Sequence, residues 1–202
     1  RAITAYLNDD AAGTADPRWH LIAQRVLLEL FEEATYNALS RRQLEQITAT
    51  GELTALPNVL TTNSGACVNG GDFAQAAALI EQSRSIAEAT GTPPHRSVEA
   101  YLAAYRGQER LCVEMVQATV EEATARGEGA AIAQAQFSAA ILHTGLRQYD
   151  KAFAACTSAL EYDDIALRGY ILVETVESAI RSGHPSAAQT ALDELAERTT
   201  AS

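Results

Sequence analysis

Gly145-Leu146-Arg147-Gln148-Tyr149-Asp150-Lys151-Ala152-Phe153-Ala154-Ala155-Cys156-Thr157-Ser158-Ala159-Leu160 decides how the rest of the chain is read. A glycine closes one helix and a short polar turn follows. Tyr149, Ala152, Cys156 and Ala159 then fall at i, i+3, i+7 and i+10. Those offsets share one face of a 3.6-residue helix. Small residues at two of them let a neighbouring helix come close. The stretch reads as the second helix of a tightly docked helical hairpin.

The pattern recurs. Gly71 leads to Phe73, Ala76, Ile80 and Ser83. Gly107 leads to Glu109, Cys112, Val116 and Thr119, and Gly183 to Pro185, Ala188, Leu192 and Leu195. The copy at Gly145 has a turn two residues longer. Glycines at 71, 107, 145 and 183 stand 36, 38 and 38 residues apart. A period in the thirties with one glycine turn per period signals stacked helical hairpins, tetratricopeptide-like ones in particular. The predicted fold is all-α: a tetratricopeptide-like α-solenoid of about five antiparallel hairpins, forming a single domain over 1–202. One hairpin alone leaves an apolar face in water, and stacking covers it.

Working outward, residues 2–7 are apolar at helical spacing, and 8–16 form a polar break. Residues 1–15 read as the remnant of an upstream element and its linker. Asp16-Pro17 marks a helix start, an N-cap acceptor followed by proline at the first helical position. Its apolar stripe runs through Trp19, Ile22, Val26, Leu27, Leu30 and Phe31. A turn is placed near Glu33-Ala34, with helix continuing to Thr50-Gly51. Residues 53–69 carry Pro57 and a Thr- and Ser-rich run that is poor helix material. Helices are then expected over 73–90, 97–106, 109–126, 130–144, 149–161, 165–182 and 187–199. The total is ten helices in five pairs.

The net charge is −11, and Lys151 is the only lysine. A surface this acidic repels phosphate backbones, so this chain is not expected to bind nucleic acid or anionic membrane. Cys67, Cys112 and Cys156 are too few and too scattered for a disulfide framework. Cys112 and Cys156 sit at packing positions and read as small buried hydrophobes. No apolar run is long enough for a membrane span, and no signal peptide is seen, which points to a reducing cytoplasm. The start at Arg1 reads as a piece of a longer protein, whose cut ends expose apolar faces and favour a homodimer.

Catalytic signals are weak. The carboxylate pairs Asp9-Asp10, Glu32-Glu33, Glu121-Glu122 and Asp163-Asp164 are adjacent in sequence, and neighbours on a helix point about 100° apart. His95 and Glu99 share a helical face, but zinc sites need three protein ligands or more. Gly127-Glu128-Gly129 lacks the third glycine and the preceding strand of a dinucleotide loop. Neither a phosphate loop nor a nucleophile elbow occurs. No metal, cofactor or catalytic residue is assigned. What remains is a surface. The first helix of each stacked hairpin lines the concave side. It offers Arg96, Glu99, Tyr101 and Tyr105, then Gln134, Phe137 and Ser138, then Tyr170, Glu174 and Glu177. Aromatics among polar groups suit a peptide, a partner domain or a small effector. Interhelical packing is the competing role for each of them.

Several segments together resemble a known family. They are Asp16-Pro17-Arg18-Trp19-His20, Leu53-x-x-Leu56-Pro57, Gly71-Asp72-Phe73, Ile86-Ala87-Glu88-Ala89-Thr90-Gly91, the run from Glu121 to Gly129, Leu146-Arg147-Gln148-Tyr149, and the end from Arg181 onward. In this order they resemble the helical-repeat region of large ATP-binding LuxR-type transcriptional regulators. The resemblance implies an ATPase part upstream and a helix-turn-helix part downstream, so ATP and DNA would be bound outside this chain. It implies a middle segment that senses an effector or partner and relays it. It carries over no site residue. Two other readings stay open: a generic repeat scaffold holding a client peptide, and a helical enzyme.

Overall fold

A computed structural model describes residues 2–11, 19–51, 55–91 and 96–200. These residues form eleven α-helices and no strand. The chain is all-α. The expected helix start at Asp16-Pro17, the turn residues Thr92, Pro93 and Pro94, Leu53 and His95 lie outside the described residues.

The helices are α1 (Ala2–Ala11), α2 (His20–Glu29), α3 (Glu33–Thr50), α4 (Leu56–Asn69), α5 (Phe73–Thr90) and α6 (Arg96–Tyr105). They continue as α7 (Glu109–Arg126), α8 (Gly129–Gly145), α9 (Tyr149–Leu160), α10 (Arg168–Arg181) and α11 (Pro185–Thr200). The count exceeds the expected ten because residues 2–11 form a helix of their own, which also makes the start of the expected polar break at residue 8 helical. Pro57 falls in the first turn of α4, where its missing N–H costs nothing, so the segment least like a helix by propensity is one.

Five hairpin turns share one geometry. Each holds a single residue in the left-handed region, at 31, 71, 107, 147 and 183, so 40, 36, 40 and 36 residues apart. In each, that residue's N–H donates to the carbonyl three back and the next N–H to a carbonyl five back. Gly71 reaches Val68 and Asp72 reaches Cys67; Arg147 reaches Thr144 and Gln148 reaches His143. These are the paired bonds of a Schellman turn, which satisfy the last carbonyls of one helix before the next begins.

The structure corrects the position of the third glycine turn. Gly145 is the last residue of α8, and Arg147 holds the left-handed position at φ 59°. The left-handed residue stands two places before the next helix in all five turns, and that rule places it at 147. The first turn, expected near Glu33-Ala34, centres on Phe31 at φ 55° and was hidden because no glycine marks it. A side chain in this region costs about 1–2 kcal/mol that glycine avoids. Arg147 is exposed. Arg147→Gly is therefore expected to stabilise the fold by about 1 kcal/mol, read as a higher urea midpoint at an unchanged slope.

First helices touch first helices. Contacts run from α4 to α6, α6 to α8 and α8 to α10, while α5, α7 and α9 each pack between their own first helix and the following one. The small positions of the repeat are where the layers meet: Ala76, Cys112, Ala152 and Cys156 are fully buried. Leu192, the matching position in α11, is 47% exposed because no later helix in the structure covers it. Burial pushes the Cys112 and Cys156 thiols up to about 11 from 9.0. Below pH 9 the native and unfolded thiols both stay protonated and the contribution is complete. Between pH 9 and 11 the unfolded thiol ionises first, and stability is lost. The stability gap between wild type and Cys156→Ala is expected to shrink by roughly 1 kcal/mol from pH 8 to pH 10, measured by urea unfolding.

The α9–α10 connection breaks the pattern. Helices α3, α5 and α7 each have 18 residues and end at a left-handed glycine, Gly51, Gly91 or Gly127. Helix α9 has 12 and stops at Leu160. Asp164 then captures the amides of Ala166 and Leu167 through Oδ1, at 2.9 and 3.1 Å. That capture delays α10 to Arg168, where the sequence alone predicts helix from 165.

The two ends of the chain meet. Arg25 of α2 donates to Asp164 at 2.7 Å, and Arg198 of α11 donates to Glu29 of α2 at 2.6 Å. The Phe31 ring lies 5.1 Å from the Tyr170 ring. A Cβ added at Gly169 would stand 2.6 Å from Phe31 Cζ, so glycine makes room for the ring. Side chains make this seam, across 137 to 169 residues of sequence.

Candidate ligand-binding site

The first helices carry the candidate surface residues, and the structure divides them into three groups. Tyr101, Tyr105 and Phe137 come together. Tyr101 stacks on Phe137 with ring centres 6.0 Å apart, meets Tyr105 edge-on at 5.1 Å, and donates its hydroxyl to Asn69 Oδ1 at 2.7 Å. Phe73, 6.1 Å from Tyr105, extends the cluster. Phe137 and Ser138 are buried, and the Ser138 hydroxyl returns to the Gln134 carbonyl at 3.0 Å.

Tyr170 belongs to the seam. Its hydroxyl donates to Glu33 Oε1 at 3.4 Å, and burial together with that carboxylate pushes it up to about 12. Tyr36 and Tyr105 add smaller contributions in the same direction. Glu174 is half-buried beside Thr144, and burial raises its carboxyl above the usual range. The third group faces outward or sideways. Arg96 pairs with Glu122 at 2.6 Å, Glu99 with Arg84 at 3.7 Å, and Glu177 with Arg181 at 3.0 Å. Tyr101, Tyr105 and Phe137 thus pack on one another, and most of the other candidates are held by residues outside the set.

Gln134 is the exception. It lines a cavity of about 300 Å³ where the inner helices meet the seam. Helix α2 contributes Leu21, Gln24, Arg25 and Leu28, and α3 contributes Tyr36. Helix α4 adds Thr61, Thr62 and Gly65, and the first turns of α6 and α8 add Ser97, Val98, Ala130 and Ala131. Asp164, Ala166 and Leu167 of the irregular connection close it. Residues of α2 and of the α9–α10 connection, with others from between, thus line one volume at the lower end of the range usual for small-molecule sites. Sequence reading missed Arg25 and Asp164. The one available signal was the departure of residues 161–167 from the repeat, since function concentrates in loops that a regular scaffold positions.

A second, strongly apolar groove of about 730 Å³ lies between α1 and α2 and includes Ile3, Tyr6, Trp19, Ile22 and Val26. Trp19 and Ile22 are more than half exposed there. Helix α1 is held by a 2.8 Å bond between the Tyr6 hydroxyl and His20 Nδ1 and by Arg42 on Asp10 at 2.7 Å. Burial lowers the pKa of the His20 ring. Among the described residues, no group of three or more His, Cys, Asp or Glu is placed to hold a metal ion. No described helix is long and apolar enough to cross a membrane. Comparison with family models gives no match for this chain, and neither the curated proteins nor the solved structures contain one.

Proposed function

We propose that this chain is a tetratricopeptide-like α-solenoid of five antiparallel hairpins, α2–α3 through α10–α11, serving as the effector-sensing or protein-interaction segment of a LuxR-type transcriptional regulator. It is non-catalytic by itself and cytoplasmic. ATP and DNA are handled by other parts of such a regulator. The observation that supports the repeat reading is the set of five Schellman turns spaced 40, 36, 40 and 36 residues apart, with first helices touching first helices. The observation that favours a small effector is the cavity at the seam, since a ligand there touches α2 and the α9–α10 connection at once. The runner-up is a scaffold that grips a client peptide in its concave groove. It is disfavoured because Tyr101, Tyr105, Phe137 and Tyr170, the rings best suited to hold a peptide, are packed on other aromatic rings.

The test is genetic. The reading frame around this segment is expected to encode a phosphate loop upstream and a helix-turn-helix downstream. Deleting the segment is expected to leave promoter binding but abolish the response of a reporter to its effector. A frame with neither flanking part, or a purified chain that hydrolyses ATP or binds duplex DNA tightly unaided, contradicts the reading.

A further inference from the structure

We infer that the cavity at the seam is a binding site for a small organic carboxylate, with Arg25 taking the carboxylate and Leu21, Leu28 and Val98 taking the aliphatic part. The inference rests on the proposed sensing role and names the class of effector.

Charge decides the class. Arg25 and Asp164 are the charged side chains on the wall, of opposite sign. Asp164 is spent: Oδ1 accepts two backbone amides and Oδ2 accepts Arg25. Its side chain is 2% exposed, so an incoming cation finds no acceptor. Arg25 is not spent. Nη2 is engaged with Asp164, its side chain is about one-third exposed, and a guanidinium has five N–H donors in a planar fork. The first turns of α6 and α8 open on the same volume, so the positive ends of two helix dipoles add to the field of the guanidinium. In a chain of net charge −11 the wall is balanced, one guanidinium against one carboxylate. The rest of the wall mixes the Thr61, Thr62 and Ser97 hydroxyls and the Gln134 amide with aliphatic side chains. That mixture suits a short carbon chain with one charged end better than a polyphosphate.

Position decides the consequence. A carboxylate on Arg25 lies beside the α2 contact to the α9–α10 connection, so occupancy adds a bridge across the seam and favours the closed arrangement. A ligand shifts an equilibrium by its difference in affinity for the two states, and a site built from both ends exists only when they meet.

The experiment is an NMR titration of the 202-residue chain with hexanoate, hexanamide and hexylamine, extended to linear C2–C8 mono- and dicarboxylates. Hexanoate is expected to give saturable shifts of the Gln24 and Gln134 side-chain amides and of Arg25 Nε–H. Hexanamide should bind at least tenfold more weakly, and hexylamine should not compete. Ala131→Leu and Gln134→Leu each intrude on the cavity without touching the Arg25–Asp164 pair. Either one, if folded by its spectrum, should weaken hexanoate at least tenfold. No saturable response to any carboxylate, equal binding by hexylamine, or undiminished binding in a folded cavity variant overturns the site. If carboxylates fail while deletion of the segment still makes the regulator blind to its effector, the site is wrong and the sensing role stands.

Discussion

Leu142→Ala should cost about 4 kcal/mol, more than any other single truncation considered for this chain. Leu142 is 1% exposed and sits in the cluster that joins α6 through α10. Its neighbours there are largely alanines, among them Ala103, Ala104, Ala139 and Ala159. Alanine has no side chain to swing into a vacated volume, so the cavity stays open and the loss falls in the upper part of the range for leucine truncation. Because each hairpin packs mainly on its neighbours, with only side chains joining the first to the last, the damage should be local. Amide exchange is expected to quicken first in α7 through α10, while α4 and α5 keep their protection. A loss under about 1.5 kcal/mol by urea unfolding would mean that this core relaxes freely, against the close packing seen at Ala152, Cys156 and Ala159.

The second large effect is at Asp164. Asp164→Ala removes the acceptor for the Ala166 and Leu167 amides and the partner of Arg25 in one step. Capping contributes about 1 kcal/mol. The ion pair adds less than a fully buried one because Arg25 is 35% exposed and its charge is partly screened by water. The expected loss is about 2–3 kcal/mol. Asp164→Asn keeps an acceptor oxygen for the amides and should recover about half of it. Loss of the seam is a separate readout: the contact of Phe31 with Tyr170 should weaken in Asp164→Ala and survive in Leu142→Ala. Equal stability of Asp164→Ala and the wild type would remove the connection from any role in holding the ends together.

The fold was legible to the extent that glycine marked it. Helix α5 (Phe73–Thr90) and helix α7 (Glu109–Arg126) begin and end where the sequence places them, because Gly71, Gly91, Gly107 and Gly127 supply the left-handed turns. The first hairpin was harder to see for the opposite reason. Phe31 does the work of a glycine, and Tyr36 stands where the other copies carry alanine or cysteine. Phe31 is there because its ring reaches Gly169 at the far end of the chain, a contact no local pattern encodes. The turn at Arg147 was misplaced by two residues since a glycine at 145 is compatible with a helix end and drew the turn to itself. The candidate residues were read from helical periodicity as one face, yet Tyr101, Tyr105 and Phe137 close on each other and Tyr170 on Phe31. Periodicity gives the face of a helix and not what stands opposite. The cavity was invisible in sequence because its wall comes from α2, α3, α4, α6, α8 and the α9–α10 connection at once.

In the proposed stack of hairpins the first and last members touch through side chains. Nuclear Overhauser spectra of the chain, with phenylalanine ring and glycine Hα protons assigned, test this most directly. The account predicts cross-peaks from the Phe31 ring to Gly169 Hα and to the Tyr170 ring, whose centre is 5.1 Å away. Assigned Phe31 and Gly169 resonances with no cross-peak between residues 25–33 and 164–170 would contradict it.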